Sequence, residues 1–286
     1  TYSSKSWYLM KTPFTNDFFK DAISDLSSLY ESIKGISKKL LILDLDDTLW
    51  GGIVGEVGLK KLRIGGHDYL GEAFRDFQIQ IKSLKNQGII LAIASKNDEK
   101  IAIEAIKKHP EMVLSMKDFV TYRINWEDKA KNIIEIVNEL NLGFQSVVFL
   151  DDSPFERARI HEMLPEVLVP ELPKDPTDYN AFLSKLRCFD KTYITKEDKI
   201  RGKLYKSEFK RTKLRHKFKS LPDWIKTLDL KIIIENIKNQ NAPRALQLLN
   251  KTNQMNLTTR RLNEREFNNW IKVGSNNLWT IRAADK

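Results

Sequence analysis

The chain has 286 residues, of which 41% are hydrophobic, so it can bury a sizeable core as one large domain or as a domain with a smaller partner. It contains no run near the roughly 18 apolar residues that a membrane helix needs and no secretory signal pattern, so we expect a cytoplasmic protein with no membrane partner. The single cysteine, Cys188, excludes an internal disulfide and a structural cysteine cluster for zinc.

The first half of the chain alternates between predicted helices and apolar strands. Residues 15–34 carry apolar side chains at helical spacing and predict an amphipathic helix. Strands follow at 40–45, 89–95 and 146–151, and helices at 73–88, 98–108 and 128–141. Strands that are apolar throughout and separated by helices favour a parallel sheet that is covered on both faces. The predicted fold is therefore doubly wound α/β.

A basic segment comes next. Residues 191–220 hold 12 basic and 3 acidic residues, which accounts for +9 of the net charge of +10. Ile200, Leu204, Tyr205 and Phe209 recur there at helical spacing and predict an amphipathic helix with a basic outer face. Such a helix is either a solvated connector or a docking surface for an acidic partner.

The C-terminal part has a different pattern. We predict strands at 230–237 and 277–286 and helices at 242–254 and 262–272. Side-chain amides are dense at the end of the first of these helices and in the segment that joins it to the second. They indicate either a polar interface or ordinary capping. This part of the chain is therefore predicted to be a small α+β region.

Polar residues stand at the end of each apolar strand of the first half. They are Asp44, Asp46 and Asp47 after the first strand, Ser95, Lys96 and Asn97 at the second, and Asp151 and Asp152 at the third. Ligands of doubly wound sheets bind at the carboxyl ends of the strands. Carboxylates gathered there repel one another unless a cation lies among them, and a hard cation with oxygen ligands, Mg²⁺, suits that position.

This combination of residues indicates phosphoryl chemistry. One carboxylate can attack phosphorus while a second, two residues further on, moves the proton of the leaving group. Ser95 and Lys129 can supply a hydroxyl donor and a positive charge for the phosphoryl oxygens.

The same residues resemble the four motifs of the haloacid dehalogenase (HAD) superfamily, in order and spacing: DLDDT at 44–48, Ser95, Lys129, and DD at 151–152. The resemblance implies a HAD-like doubly wound parallel sheet of the Rossmannoid type. It makes Asp44 the nucleophile and a metal ligand, and Asp46 the general acid and base, with its backbone carbonyl on the metal. It makes Ser95 and Lys129 the phosphate-binding residues.

The last motif completes the implied metal site. By the resemblance, Asp152 is a direct Mg²⁺ ligand, while Asp151 stands behind it and contacts the ligands. Lys96 and Asn97 are expected to bind substrate. Arg157 either grips a carboxylate or phosphate group of the substrate or caps the following helix.

A narrower resemblance covers almost the whole chain. The segments LDLDDTLWGGIVGEVG, SKNDE, INWEDKAKNI, VVFLDDSPFERARI, LRCFD and NKTNQMNLTTRRLNE are similar to FkbH-like proteins and domains of polyketide assembly lines. The resemblance implies an acyltransferase with phosphatase activity that takes a phosphorylated three-carbon acid, 1,3-bisphosphoglycerate. Such an enzyme removes the phosphate groups and passes a glyceryl or D-lactyl unit to the phosphopantetheine thiol of an acyl carrier protein, which primes polyketide biosynthesis.

One position departs from that family. This chain reads ASKN where the family reads CSKN, so Ala94 stands where a cysteine thiolate would attack the acyl carbon. Either Ala94 is an engineered substitution, which we favour, or the chain is a natural variant that passes the acyl group directly. Cys188 is the remaining thiol, and we interpret it as a packing residue.

Several alternatives follow from the same residues. Gly51 and Gly52 form either a small lid beside Asp44 or a simple turn, and the short insertion there leaves an open site suited to a macromolecular substrate. Because carrier proteins are acidic, the basic segment is our hypothesis for their docking face. The alternatives are a plain phosphatase acting on a phosphoprotein or polynucleotide end and a basic nucleic-acid-binding module, but the basic segment lacks the regular aromatic residues of a base-stacking surface.

We therefore expect four parts: an N-terminal helical extension (1–38), a HAD-like catalytic core (39–190), a basic helical connector (191–229) and a C-terminal region (230–286). In FkbH-like chains the last part resembles the start of an acetyltransferase-like domain, which we expect to continue beyond residue 286.

Overall fold

The structure, a computed structural model, describes residues 2–34, 36–66, 68–191, 194, 198, 200–202, 204–207, 211, 229–251, 261–274 and 276–284. The chain divides into two compact units, Thr1–Lys210 and Arg211–Lys286. In the described parts of the chain, none of the helices combines the length and apolar composition that crossing a bilayer requires.

Among the described residues of the first unit, eight helices and four strands have defined bounds. The helices are α1 (Ser4–Met10), α2 (Asn16–Lys34), α3 (Val54–Val57), α4 (Tyr69–Asn86), α5 (Glu99–Lys108), α6 (Lys129–Glu139), α7 (Pro154–Met163) and α8 (Tyr179–Lys185). The strands are β1 (Leu40–Leu43), β2 (Ile90–Ser95), β3 (Phe119–Ile124) and β4 (Val147–Leu150). Short 3-10 turns lie at Leu59–Lys61, Phe144–Ser146, Pro176–Asp178 and Arg187–Phe189.

The four strands form one parallel sheet in the order β3-β2-β1-β4. Strands β1 and β4 are buried along their whole length, as expected for apolar runs at the centre of an α/β domain. The prediction of a doubly wound parallel sheet is confirmed. Strand β3 and helices α3, α7 and α8 were not predicted, and β1 and β4 end two residues and one residue earlier than expected, because the residues that follow turn away to form the site.

Two apolar clusters cover the two faces of the sheet. Alternate residues of β1 point to opposite faces, so Leu41 and Leu43 join the cluster that contains Phe77 of α4. Leu40 and Ile42 join the other cluster, which contains side chains of α6 and α7. The sheet is therefore held between helices on both sides, and its carboxyl edge is left for polar residues.

Helix α2 is amphipathic as predicted, but its apolar stripe faces solvent. Ile23 and Leu26 are exposed, and among the residues of α2 only Ser28 is buried. The helix is attached by polar contacts: Ser28 Oγ donates to Asp190 Oδ2 at 3.3 Å, and Asp25 forms an ion pair with Arg187 at 2.9 Å. Amphipathic spacing therefore predicted the helix correctly but not which side packs on the domain.

The basic segment 191–220 lies largely outside the described residues. The predicted connector or docking face therefore falls mostly on residues outside the described range. Three of its described residues, all within the first unit, contact the core of that unit. Arg201 Nη1 donates to the carbonyl oxygen of Gly88 at 3.1 Å, and Lys206 Nζ donates to that of Lys117 at 2.6 Å. The side chain of Tyr205 packs against the α6 side of the core.

The second unit contains an antiparallel pair of strands and two helices among its described residues. They are β5 (Lys231–Asn236), α9 (Ala242–Lys251), α10 (Glu264–Lys272) and β6 (Trp279–Ala284). All four elements agree with the predicted ones, except that residues 252–260 lie outside the described range. Asn250 exchanges two hydrogen bonds with the backbone of Leu262, and Asn263 caps α10, so these two amides act locally within the unit.

Gln78 of α4 connects two loops of the core. Its Nε2 donates to the carbonyl oxygen of Leu49 at 2.8 Å, and its Oε1 accepts from the amides of Val113 and Leu114 at 3.1 and 3.0 Å. The side chain is fully buried. This amide therefore fixes the loop after β1 relative to the loop before β3.

We predict that Gln78→Leu lowers the free energy of unfolding by about 3 kcal/mol, because it leaves three backbone groups unpaired at roughly 1–3 kcal/mol each, less any that water can reach. Urea unfolding at neutral pH measures this change. Gln87→Leu, at the exposed end of the same helix, is the control. Equal stability of the two variants would show that Gln78 does not connect the loops.

Candidate active site at the carboxyl edge of the sheet

The polar residues after β1 and β4 are brought together by the strand register. The amide of Asp44 donates to the carbonyl oxygen of Leu150 at 3.0 Å, so the pairing of β1 with β4 continues for one residue beyond Leu43. Asp151 follows Leu150 directly. The side chains of Asp44 and Asp151 are therefore neighbours at the same edge of the sheet.

Lys129 lies between these two carboxylates. Its Nζ is 2.8 Å from Asp44 Oδ2 and 2.5 Å from Asp151 Oδ2, and its side chain is 3% exposed. Lys129 is the first residue of α6, whose N-cap is Asp128, so the helix start places it at the sheet edge. Burial alone would lower the pKa of Lys129, but the charges of Asp44 and Asp151 outweigh burial and raise it. Lys129 is therefore a permanent cation.

Asp151 is fully buried and both of its carboxylate oxygens have partners. Oδ2 is bound to Lys129, and Oδ1 accepts from the amide of Ser153 at 2.9 Å. Burial, and next the charge of Asp44, raises the pKa of Asp151, while Lys129 opposes this shift. Lys129 thus favours the charged form of Asp151 against burial, and the visible role of Asp151 is to orient that lysine.

Asp152 is anchored by Thr48, a residue that the sequence analysis did not single out. Thr48 Oγ1 donates to Asp152 Oδ1 and accepts from the backbone amide of Asp152, both at 3.1 Å. Thr48 is fully buried. Burial, and then the charge of Asp44, raises the pKa of Asp152, and the hydrogen bond from Thr48 opposes the shift. The signal for Thr48 was its place inside the DLDDT motif.

Three of these carboxylates are close enough to share one cation. Asp44, Asp151 and Asp152 each offer an oxygen, and these oxygens lie within 4.8 Å of one another. Asp44 Oδ1 is buried and has no hydrogen-bond partner among the described residues. A buried carboxylate oxygen without a partner is costly, so the donor set fits a bound cation or an electrophile at that atom.

Asp46 lies in a cradle of hydrogen-bond donors. Its Oδ1 accepts from Trp50 Nε1 at 2.8 Å and from the amide of Val54 at 3.1 Å, and its Oδ2 accepts from Asn97 Nδ2 at 2.7 Å. Burial raises the pKa of Asp46, and the charge of Asp44 adds to this, against the hydrogen bonds from Val54 and Trp50. A carboxyl group whose proton is retained more strongly than usual suits proton transfer.

Three predicted substrate ligands have partners within the protein. Asn97 contacts Asp46, as described above. Lys96 Nζ is 2.7 Å from Glu156 Oε1 of α7, and the other oxygen of Glu156 is buried with no partner in the described part of the chain. Arg157 Nη1 donates to the backbone carbonyl oxygens of Asp151 and Asp152 at 2.8 and 2.6 Å, so in this structure it braces the turn after β4. Binding of substrate by these residues stays a prediction.

Position 94 borders the nucleophile position. The last register pair of β1 and β2 is Leu43 with Ile93, and one residue further come Asp44 and Ala94. Ala94 shares its sheet face with Ala92 and Ile42, on the side of α6. Ser95 closes the strand, is almost fully buried, and its carbonyl oxygen accepts from the amide of Asn125. A side chain longer than alanine at position 94 would therefore be next to Asp44.

The glycines after β1 form a packed, hydrogen-bonded turn. The backbone of Gly51 exchanges two hydrogen bonds with Arg63, and a Cβ at Gly51 would come within 2.9 Å of the Phe74 ring. Gly52 has φ +97°, which favours glycine, and its amide donates to Asp47 Oδ1 at 2.6 Å. These contacts favour the turn interpretation over a lid.

Cys188 lies outside this site. It packs against the core on the side of α4, and burial raises the pKa of its thiol to about 12. A thiol that stays protonated is a poor nucleophile. The structure thus agrees with the interpretation of Cys188 as a packing residue.

Comparison with known proteins adds one informative likeness. No protein-family model matches the sequence, and no curated protein does. A solved structure does match: the crystal structure of the N-terminal part of the protein BF1531 from Bacteroides fragilis, which contains a phosphatase domain and is complexed with Mg. The sequences are 43% identical, the TM-score is 0.65, and the match covers 67% of this chain and 51% of that chain. The chain thus spans about half the length of its structural neighbour.

The core has a HAD-like fold. The parallel sheet, the acidic residues at its carboxyl edge and the likeness to a phosphatase domain all agree with the HAD motifs in the sequence. Asp44, Asp151 and Lys129, which belong to three of these motifs, lie together at one edge of the sheet.

We predict that Lys129→Met lowers the free energy of unfolding by about 3–5 kcal/mol at pH 8 without divalent cations, because two buried carboxylates lose their counter-ion. Without Lys129 the pKa of Asp151, which burial already raises to about 7, rises further above the unfolded value of about 4. The folded state then binds more protons than the unfolded state, so the deficit is largest above the folded pKa of Asp151 and shrinks as the pH falls through it.

Chemical unfolding of the wild type and Lys129→Met at pH 8, 6.5 and 5 measures this effect. Lys131→Met is the control, since Lys131 is on the same helix and its side chain is 60% exposed. A deficit of Lys129→Met that did not change with pH would contradict the electrostatic account.

Proposed function

We propose that the chain is a Mg²⁺-dependent phosphatase of the HAD type in which Asp44 attacks phosphorus. The observation that carries this proposal is the state of the Asp44 carboxylate. One of its oxygens is held by Lys129 and the other is buried without a partner among the described residues. A carboxylate held in this way is oriented for attack. The reaction then needs the substrate phosphorus and a cation.

The charges of the site support a divalent cation. Lys129 pairs with Asp44 and Asp151, Asp152 adds a third carboxylate beside them, and a phosphate ester would add more negative charge. Asp44 and Asp152 would hold the ion, and the structural neighbour is complexed with Mg. When bound, Mg²⁺ supplies positive charge that stabilises the phosphoryl oxygens during transfer.

The chain's own residues divide the reaction into two steps. Asp44 attacks phosphorus and forms a P–O bond, while the bond to the leaving group breaks and Asp46 gives its proton to the departing oxygen. Water then attacks the phosphorus and returns a proton to Asp46, which releases inorganic phosphate and the free Asp44 carboxylate. Lys129 holds Asp44 in place through an ion pair, and its positive charge can stabilise the phosphoryl oxygens.

We predict that the chain hydrolyses aryl phosphates with Mg²⁺ and that Asp44→Asn lowers kcat by ~10⁴-fold or more, because an amide cannot accept the phosphoryl group. Asp152→Asn should raise the Mg²⁺ concentration needed for half-maximal rate. Release of inorganic phosphate, with and without EDTA, measures both effects. An Asp44→Asn variant that kept the wild-type rate would contradict the proposal.

We further propose that the natural substrate is a phosphorylated three-carbon acid, 1,3-bisphosphoglycerate, and that the acyl unit goes to an acyl carrier protein. This proposal is supported by the similarity to FkbH-like sequences, whose segments DLDDTLWGG, SKNDE, INWEDK and FLDDSPFER form the loops of the site described above. It is also supported by the place of residue 94. A thiol there would border Asp44 and could attack an acyl carbon bound at the same edge.

We predict that Ala94→Cys transfers a glyceryl unit to a phosphopantetheinylated carrier protein, whereas the chain with Ala94 releases phosphate without loading the carrier. The physical reason is that a methyl group cannot form a thioester. Intact-mass spectrometry of the carrier after incubation with Mg²⁺ and 1,3-bisphosphoglycerate measures loading.

Loading by both forms would mean direct transfer from the acyl phosphate. Loading by neither, with phosphate still released, would leave the plain phosphatase.

In the same assay, reversal of several lysines in 191–220 to glutamate tests our proposal that this segment binds the carrier. Unchanged loading would contradict that role, and steeply salt-dependent DNA or RNA binding would instead favour nucleic acid as its ligand.

A further inference from the structure

The proposed proton donor, Asp46, is held by two side chains and one backbone amide. Its three donors come from three places: Trp50 on the turn after β1, the amide of Val54 at the start of α3, and Asn97 after β2. Trp50 is fully buried and Asn97 is 4% exposed. Donors that are themselves immobilised by packing fix a carboxyl group in one orientation.

The donors are distributed unequally between the two oxygens of Asp46. A carboxylate oxygen has two lone pairs in the plane of the group. The two lone pairs of Oδ1 are occupied by Trp50 and Val54, whereas Oδ2 accepts only the bond from Asn97 among the described residues. The position that remains for a proton is therefore on Oδ2.

The orientation of the Asn97 amide is determined by its neighbour. Asn97 Oδ1 accepts from the backbone amide of Asp98 at 2.9 Å, so its nitrogen must be the atom that faces Asp46. Asp98 is in turn the N-cap of α5 and accepts from Lys100 and Ile101. The helix start therefore holds Asn97 in the donating orientation.

We infer that Trp50 and Asn97 are positioning residues for proton transfer by Asp46: Trp50 and the Val54 amide saturate Oδ1, and Asn97 holds Oδ2 as the oxygen that carries the transferable proton. This inference rests on the proposed phosphatase function. In the first step the O–H bond at Oδ2 breaks as the leaving-group oxygen gains the proton, and in the second step water restores the proton to Oδ2. Asn97 thus acts on Asp46 rather than on the substrate.

A comparison of two leaving groups tests the inference. The leaving group of 2,4-dinitrophenyl phosphate departs without a proton, whereas that of phenyl phosphate needs one. The value of kcat/KM reports the steps up to transfer of the phosphoryl group to Asp44. We expect Trp50→Phe and Asn97→Ala to lower kcat/KM for phenyl phosphate by roughly 10²-fold and to leave that for 2,4-dinitrophenyl phosphate nearly unchanged.

Three comparisons make the result decisive. Asp46→Ala should show the same preference for the better leaving group, more strongly. Asn97→Asp, which is isosteric but turns the donor into an acceptor, should resemble Asn97→Ala. Trp7→Phe, a change at an exposed indole of α1, should behave as wild type with both substrates. Circular dichroism and the Mg²⁺ concentration for half-maximal rate confirm that each variant is folded and binds the ion.

Equal losses with both substrates in the folded Trp50 and Asn97 variants would overturn the inference and leave the proposed function standing. The same leaving-group dependence in Trp7→Phe would overturn it as well. A wild-type protein that hydrolyses neither ester with Mg²⁺ would instead overturn the proposed function. Trp50→Phe and Asn97→Asp are assessed separately, so loss of fold in one still leaves the other as a test.

Discussion

The site depends on one buried ammonium group between two carboxylates. Lys129 is 3% exposed, and without it Asp44 and Asp151 would face each other across adjacent strands with no counter-charge. The parallel pairing of β1 and β4 forces this proximity, since the chain places an aspartate directly after each strand. The start of α6 supplies the lysine at the same edge. Strand register and the start of α6 together thus place the carboxylate of Asp44 beside its counter-ion.

The acids of the site differ because their surroundings differ. One oxygen of Asp44 pairs with Lys129, and the other has no partner among the described residues. Asp46 accepts hydrogen bonds from three donors, and both oxygens of Asp151 accept a hydrogen bond. Groups of the same kind in unlike environments can perform unlike tasks. The arrangement therefore separates a nucleophile, a proton carrier and a residue that orients Lys129, although all three are aspartates.

Much of this could be predicted from the sequence. The apolar runs gave the strands β1, β2 and β4, and the rule that parallel strands end at one edge brought Asp44 and Asp151 together. Strand β3 was missed because it is an edge strand whose Thr121, Tyr122 and Arg123 interrupt the apolar pattern. Helix α7 was missed because its apolar residues do not form a clear stripe.

The partners of individual side chains were harder to predict. Asn97 and Arg157 carry groups that suit phosphate, but the structure directs them to Asp46 and to backbone carbonyl oxygens, a choice that depends on tertiary distances. The exposed apolar side of α2 was equally hidden, because spacing reveals a stripe but not what covers it. Thr48 and Trp50 lay inside the quoted motif, and their role required the loop geometry.

The central claim is that the phosphoryl group passes through Asp44. The most direct test is to quench the reaction with acid during turnover of an aryl phosphate with Mg²⁺, reduce the protein with borohydride, and locate the reduced aspartyl phosphate by peptide mass spectrometry. Our account predicts that the aspartate in the LILDLDD peptide at position 44 is the modified residue. Modification at another residue, or phosphate release with no trapped residue at any quench time, would contradict it.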